Sequence, residues 1–177
     1  MTPQTAPQWQ LTRWFNGKPT TVEDHRGKVI VLGAFQMLCP GCVSHGLPQL
    51  QRVRETFSEQ DVAVIGLHTV FEHHAAMTPV SLEAFLMEYR YTFPVAVDAH
   101  DDPLGASVTM KRYGLRGTPS LVLIDRGGLV RHSSFGRDPD LQLGALLAQL
   151  VGETAGDMRT VPKAEHVGMC SVDGECS

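Results

Sequence analysis

Residues Lys28 to Phe35, KVIVLGAF, form a β-branched and almost uninterrupted apolar run, and only three residues separate it from Cys39-Pro40-Gly41-Cys42. A strand without polar alternation must be covered on both faces, which calls for a central sheet with helices packed against it. Beyond the cysteines, Val43, Leu47, Leu50, Val53 and Phe57 recur at spacings of three and four, so they share one face of a helix. Pro48 falls inside that pattern and is expected to kink it. Asp61 to Leu67, DVAVIGL, reads as a second buried strand. Strand, helix and strand in that order make a right-handed parallel crossover, and an α/β class follows.

The remaining segments extend this pattern. Thr78-Pro79 supplies a cap and a first-turn proline for a helix whose apolar stripe is Leu82, Phe85, Leu86 and Tyr89. Phe93 to Val97 predicts a short strand, and Leu104, Val108, Met110 and Tyr113 a helix that stops at Gly114. Ser120 to Ile124 and Leu129 to Phe135 predict two strands joined as a hairpin by Asp125-Arg126-Gly127-Gly128. Leu141, Leu143, Leu146, Leu147 and Leu150 mark a last helix. After Gly152 the apolar pattern fails. Residues 1–152 are therefore read as one domain and 153–177 as a C-terminal tail that carries Cys170 and Cys176.

With 177 residues, 42% of them hydrophobic and 19% charged, the chain can bury a full core. A net charge of −4 offers no general attraction to phosphates or anionic lipid, so neither nucleic acid nor a membrane is an expected partner. Met1 to Gln10 lacks the basic start and apolar stretch of a secretory signal, and the longest apolar runs are strand-length. A soluble, cytoplasmic protein is expected. In a reducing compartment, two close cysteine pairs, Cys39 with Cys42 and Cys170 with Cys176, point to redox cycling or metal binding rather than to scaffolding.

Two cysteines three apart at the start of a helix lie on one side of its first turn, where their sulfurs can close a small ring with little backbone movement. Cys39 sits at or just before the helix N-terminus, whose free N–H groups and dipole stabilise a thiolate. Pro40 suits the first helical position, and Gly41 leaves room for another chain's backbone. Cys42, one turn in, is expected to be the more buried. The division of labour that follows has Cys39 attacking a disulfide and Cys42 resolving the mixed disulfide, or the reverse sequence oxidising a dithiol. Metal binding by the pair remains the alternative.

The segments AFQMLCPGC, LPQL and YGLRGTPSLVLIDRGGLV resemble the thioredoxin-like superfamily, and within it the TlpA-like or redoxin-like group. The likeness runs from about Trp9 to Val151 and includes FPVAVD. It implies a thioredoxin-like fold, a central mixed β-sheet of roughly four or five strands flanked by helices. It also implies a thiol-disulfide oxidoreductase that needs no cofactor, acts on a protein or small-molecule disulfide or dithiol, and exchanges electrons with a donor or acceptor not yet identified. By the same resemblance Pro119 is a cis-proline opposite the cysteines, where composition alone would allow a trans turn residue. Thr118 then faces the sulfurs, and Pro40, Gly41, Thr118 and Pro119 meet the substrate. Three positions depart from the family. Gly33 replaces the buried aspartate of thioredoxin, His45 the glutamate of some TlpA-like proteins, and Leu38 the tryptophan before the first cysteine. His45 either takes over the proton transfer, with an imidazole pKa near about 6.5, or is an exposed helix histidine.

Two rival readings stand beside this one. A thiol peroxidase of the peroxiredoxin type carries Pro-x-x-x-Thr/Ser-x-x-Cys. Counted back from Cys39 those positions hold Leu32 and Gln36, and from Cys42 they hold Phe35 and Cys39, so neither frame fits. A metal-binding or sensory module could draw on Cys39, Cys42, Cys170 and Cys176, or add His166 to the tail pair, although the spacing of the tail pair is loose for a zinc knuckle. His68, His73 and His74 are expected to be surface histidines rather than ligands, because neighbours along the chain rarely converge on one ion. Cys170 and Cys176 are read as a second redox pair, a static clip, or free thiols, and no resident metal is expected.

Overall fold

The computed structural model describes residues 4–102 and 105–153. Its seven strands are β1 (Gln4–Thr5), β2 (Leu11–Phe15), β3 (Val29–Phe35), β4 (Val62–His68), β5 (Val95–Asp98), β6 (Ser120–Ile124) and β7 (Leu129–Phe135). The helices are α1 (Leu47–Thr56), α2 (Pro79–Glu88), α3 (Val108–Arg112) and α4 (Asp140–Gly152). All strands join one mixed sheet in the order β1-β7-β6-β3-β4-β5-β2. β3, β4 and β5 run parallel, and β6 lies antiparallel against the other edge of β3.

The apolar run from Lys28 to Phe35 occupies the middle of this sheet, and every residue of β3 is buried. Val29, Val31 and Phe35 face α1, α2 and α4 through Leu47, Leu50, Leu82, Leu86, Leu143 and Leu147. Ile30, Leu32 and Ala34 point the other way, into a second cluster with Ile65, Val122 and Ile124, covered by Trp9, Trp14 and Tyr113. Gly33 is required by a close approach. A Cβ there would collide with the Leu50 side chain, so the place of thioredoxin's buried acid is filled by a leucine.

Local signals explain most boundaries. Thr78 caps α2, its hydroxyl accepting the Ser81 N–H at 3.3 Å, with Pro79 in the first turn. The β6–β7 connection closes on the Asp125 carboxylate, which accepts the N–H groups of Gly127 and Leu129, both at 2.9 Å. α4 ends at Gly152, where Glu153 pairs with the Arg131 guanidinium at 2.6 Å and so holds the helix end to β7. Of the expected tail only Glu153 falls among the described residues. No helix among them is long and apolar enough to cross a membrane.

Several expectations are corrected. The sheet has seven strands because the N-terminal segment adds β1 to β7 and β2 to β5 at the two edges. The strand expected over Phe93 to Val97 begins at Val95, since Pro94 has no N–H to give a ladder, although its carbonyl accepts the Gly66 N–H at 2.9 Å. The helix after Cys42 is not one kinked rod. Cys42–Gly46 forms a π-helical turn and α1 starts at Leu47, which moves Pro48 into a first turn. The wide turn accommodates the proline ring, and its missing N–H removes no bond from the interior of α1.

Candidate active site

Cys39 follows the C-terminal end of β3, where the chain leaves the sheet. The Gln36 carbonyl accepts the Cys39 N–H at 3.3 Å, and the Gln36 side chain reaches the loop after β4, accepting the Phe71 N–H at 3.2 Å and donating to Glu72 at 3.4 Å. One buried amide thus ties the cysteine loop to the neighbouring crossover. The Cys39 carbonyl accepts the N–H groups of Cys42 and Val43 at 3.0 and 3.1 Å, so the turn begins at this cysteine.

The two sulfurs stand in different surroundings. Cys39 is half-buried, and its sulfur accepts the Cys42 N–H at 3.2 Å while its thiol donates to the Thr118 carbonyl at 3.4 Å. Cys42 is 0% exposed. Burial pushes its thiol up to about 12, with the adjacent Cys39 thiol acting in the same direction. The accessible sulfur is therefore the one that can meet another molecule, and the buried one is held as the thiol. Near about pH 8, iodoacetamide is expected to label Cys39 and to leave Cys42 unlabelled until the protein is unfolded. Tandem mass spectrometry of the peptide that holds both reads this, and equal labelling in the native protein would contradict the asymmetry.

The Thr118-Pro119 peptide bond is cis. The Pro119 ring is nested against two glycines of the cysteine turn. A Cβ on Gly41 would lie 3.2 Å from Pro119 Cδ, and one on Gly46 would lie 3.0 Å from Pro119 Cβ. Only small residues let the two loops approach this closely. The Pro119 carbonyl accepts the Gly136 N–H at 2.8 Å, which fastens the proline loop to the end of β7.

Cys39, Cys42, Gly41, Thr118 and Pro119 are thus brought together, with Pro40 exposed on the outer side of the turn. His45 is not part of this group. It is exposed in the last part of the π-helical turn and hydrogen-bonds to neither sulfur, so it has no direct hold on the Cys42 proton. Leu38 is 58% exposed beside Cys39, an apolar rim in place of an indole. Cys170, Cys176 and His166 lie outside the described residues. Gln36 and Gly46 were missed by sequence reasoning. Their signals are a polar residue continuing a buried strand and a glycine within helical spacing.

The histidines divide. His73 is exposed and His74 half-buried, its ring edge-on to His100 at 5.5 Å. His68 corrects the surface expectation. It is 1% exposed on β4, packed beside Phe35 with ring centroids 5.4 Å apart. Positions 62, 64, 66 and 68 share one face of β4, so the strand period turns His68 into the same cluster as Val62 and Val64. No group of three histidine, cysteine or acidic side chains among the described residues is placed to hold a metal ion.

Residues 2–133 match the AhpC/TSA family. A solved thioredoxin-like superfamily protein is 57% identical, with a TM-score of 0.83 over 85% of this chain and 98% of that one. A thiol-disulfide isomerase from Corynebacterium glutamicum is 48% identical, with a TM-score of 0.81 over 84% of this chain and 98% of that one. The thiol-disulfide oxidoreductase ResA of Bacillus anthracis is 26% identical over 145 residues, 82% of this chain and 76% of ResA. DipZ of Mycobacterium tuberculosis is 28% identical over 153 residues, 84% of this chain but 21% of DipZ, so the chain spans about a fifth of that relative.

Proposed function

Since the chain belongs to the AhpC/TSA family and its fold is thioredoxin-like, we propose that it is a thiol-disulfide oxidoreductase in which Cys39 attacks and Cys42 resolves. The observation that carries this reading is the pairing of a reachable sulfur with a fully buried one beneath a cis-proline loop. The Cys39 thiolate attacks one sulfur of a substrate disulfide, the S–S bond breaks, and the second sulfur leaves as a thiolate. The Cys42 sulfur then attacks Cys39, closes the enzyme disulfide and releases the first substrate sulfur. The enzyme loses two electrons and two protons, and the substrate gains both as two thiols. A dithiol reductant must restore Cys39 and Cys42 for another cycle, and no cofactor takes part.

The Cys42 N–H aimed at the Cys39 sulfur supplies a donor where negative charge collects, and the Thr118 carbonyl fixes the direction of the thiol. Thr118 and Pro119 offer the edge along which a substrate backbone lies, while Pro40 and Gly41 present the outer side of the turn. Names of relatives support the substrate class, a protein or small dithiol or disulfide. The proposal extends to Cys170 and Cys176 as a second redox pair that exchanges with Cys39 and Cys42. The test of the core reading is reduction of insulin disulfides with dithiothreitol as donor. Turnover well above the uncatalysed rate is expected, and a rate equal to that of dithiothreitol alone would refute the reading.

The family match also favours a second reading, a thiol peroxidase, in which the Cys39 thiolate attacks a peroxide oxygen, the O–O bond breaks, the other oxygen leaves as water or an alcohol, and Cys42 condenses with the sulfenic acid to give the disulfide and water. Peroxide consumption faster than insulin reduction, with the same donor, selects it.

A further inference from the structure

The segment that leads into the cis-proline loop carries an unused cation. Arg116 is exposed two residues before Thr118, and no carboxylate pairs with it among the described residues. Its guanidinium carbon instead lies over the Phe135 ring, 5.5 Å from the centroid. Phe135 is itself 55% exposed, and it is held in place from below, because a Cβ on Gly117 would come within 2.9 Å of its ring. A large aromatic side chain left half in water with a cation resting on it is a presented surface, not a packed one. Arg116, Phe135 and the Ser133 hydroxyl, which has no partner among the described residues, line a cleft of about 80 Å³.

This cleft is joined to the reactive sulfur by a short chain of contacts. The Cys39 thiol donates to the Thr118 carbonyl, Gly117 precedes Thr118, and Gly117 carries the Phe135 ring. Arg116 precedes Thr118 by two residues, so its Cα lies within about 13 Å of the sulfur, the reach of about four residues of extended chain. Resting on the oxidoreductase reading above, we propose that Arg116, held over Phe135, is a carboxylate-binding subsite that selects polypeptide disulfides bearing Asp or Glu within about four residues of the attacked cysteine. The guanidinium fork matches a carboxylate, and the free Ser133 hydroxyl adds a donor beside it. Asp138, three residues after Phe135 along the chain, is already engaged by Ser134 and His132.

The test uses two disulfide peptides identical except for Glu or Gln at the third residue from the cysteine, each reduced by the full chain. The wild-type rate ratio, Glu over Gln, is expected to be about five at low salt and to fall toward one as salt is raised. Arg116→Gln should bring the low-salt ratio to about one, and Arg116→Glu should invert it. A wild-type ratio of one with both peptides reduced overturns the subsite and leaves the oxidoreductase reading intact. A ratio of five that survives in Arg116→Gln also overturns it. Failure to reduce either peptide or insulin counts against the oxidoreductase reading itself, and the subsite falls with it.

Discussion

Cys39→Ser is expected to abolish insulin reduction, because a serine hydroxyl stays protonated at neutral pH and Cys42, at 0% exposure, cannot reach a substrate in its place. Cys42→Ser is expected to lose turnover for a different reason. Cys39 still attacks, but nothing resolves the product, so the enzyme stalls as a mixed disulfide with one substrate chain bound per enzyme. Dithiothreitol should release that adduct. The contrast separates the two roles: no adduct from one variant, a stoichiometric adduct from the other. The stalled variant also tests the tail, since mild oxidation of Cys42→Ser without substrate leaves Cys39 free to pair elsewhere. A bond from Cys39 to Cys170 or Cys176, mapped by mass spectrometry, supports exchange between the two pairs, and a lone Cys170–Cys176 bond opposes it. Turnover retained in Cys39→Ser, or no adduct in Cys42→Ser, overturns the division of labour.

What could be read from the sequence depended on whether one short segment held the whole signal. β3 was legible because seven consecutive buried residues leave no amphipathic alternative. The hairpin was legible because an Asp and two glycines within the four residues 125–128 carry their own turn chemistry, borne out by Gly128 at φ +76° and the two N–H bonds to Asp125. β2 was not, since LTRWF neither alternates nor runs apolar, and its place at the sheet edge comes from pairing with β5. The π-helical turn was also illegible, because Val43, Leu47 and Leu50 keep helical spacing through it and the wider turn shows only in the backbone, where the Leu47 N–H reaches the Cys42 carbonyl. Cys39 and Cys42 were legible as a pair. The order of their burial was legible too, because a cysteine one turn into the helix lies deeper than the one at its start, whereas Arg116 became notable only when Phe135, distant in sequence, was seen beneath it.

Acid should weaken the fold through His68. Burial in the cluster around Phe35 lowers this imidazole from its usual value near 6.5 to about 4, with His100 nearby acting in the same direction. Neither ring nitrogen has a hydrogen-bond partner among the protein atoms described, so nothing there rewards protonation. Above about pH 6.5 the ring is neutral folded and unfolded, and stability does not depend on it. As pH falls from there toward about 4, the unfolded chain takes up a proton that the folded one refuses. Stability is lost across that window, by roughly 3 kcal/mol in all. His25, lowered mainly by burial, pulls the same way, whereas Asp98, raised by burial, opposes it. His68→Leu isolates the contribution, because it keeps an apolar side chain at the site and removes only this titration. Urea midpoints at neutral pH and near about pH 4 should show the wild type losing roughly 3 kcal/mol more than the variant between the two conditions. At neutral pH the variant should be as stable as the wild type within about 1.5 kcal/mol, since two unpaired ring nitrogens leave the core as some volume is lost. Parallel pH profiles for the two proteins would place the acid sensitivity elsewhere in the chain.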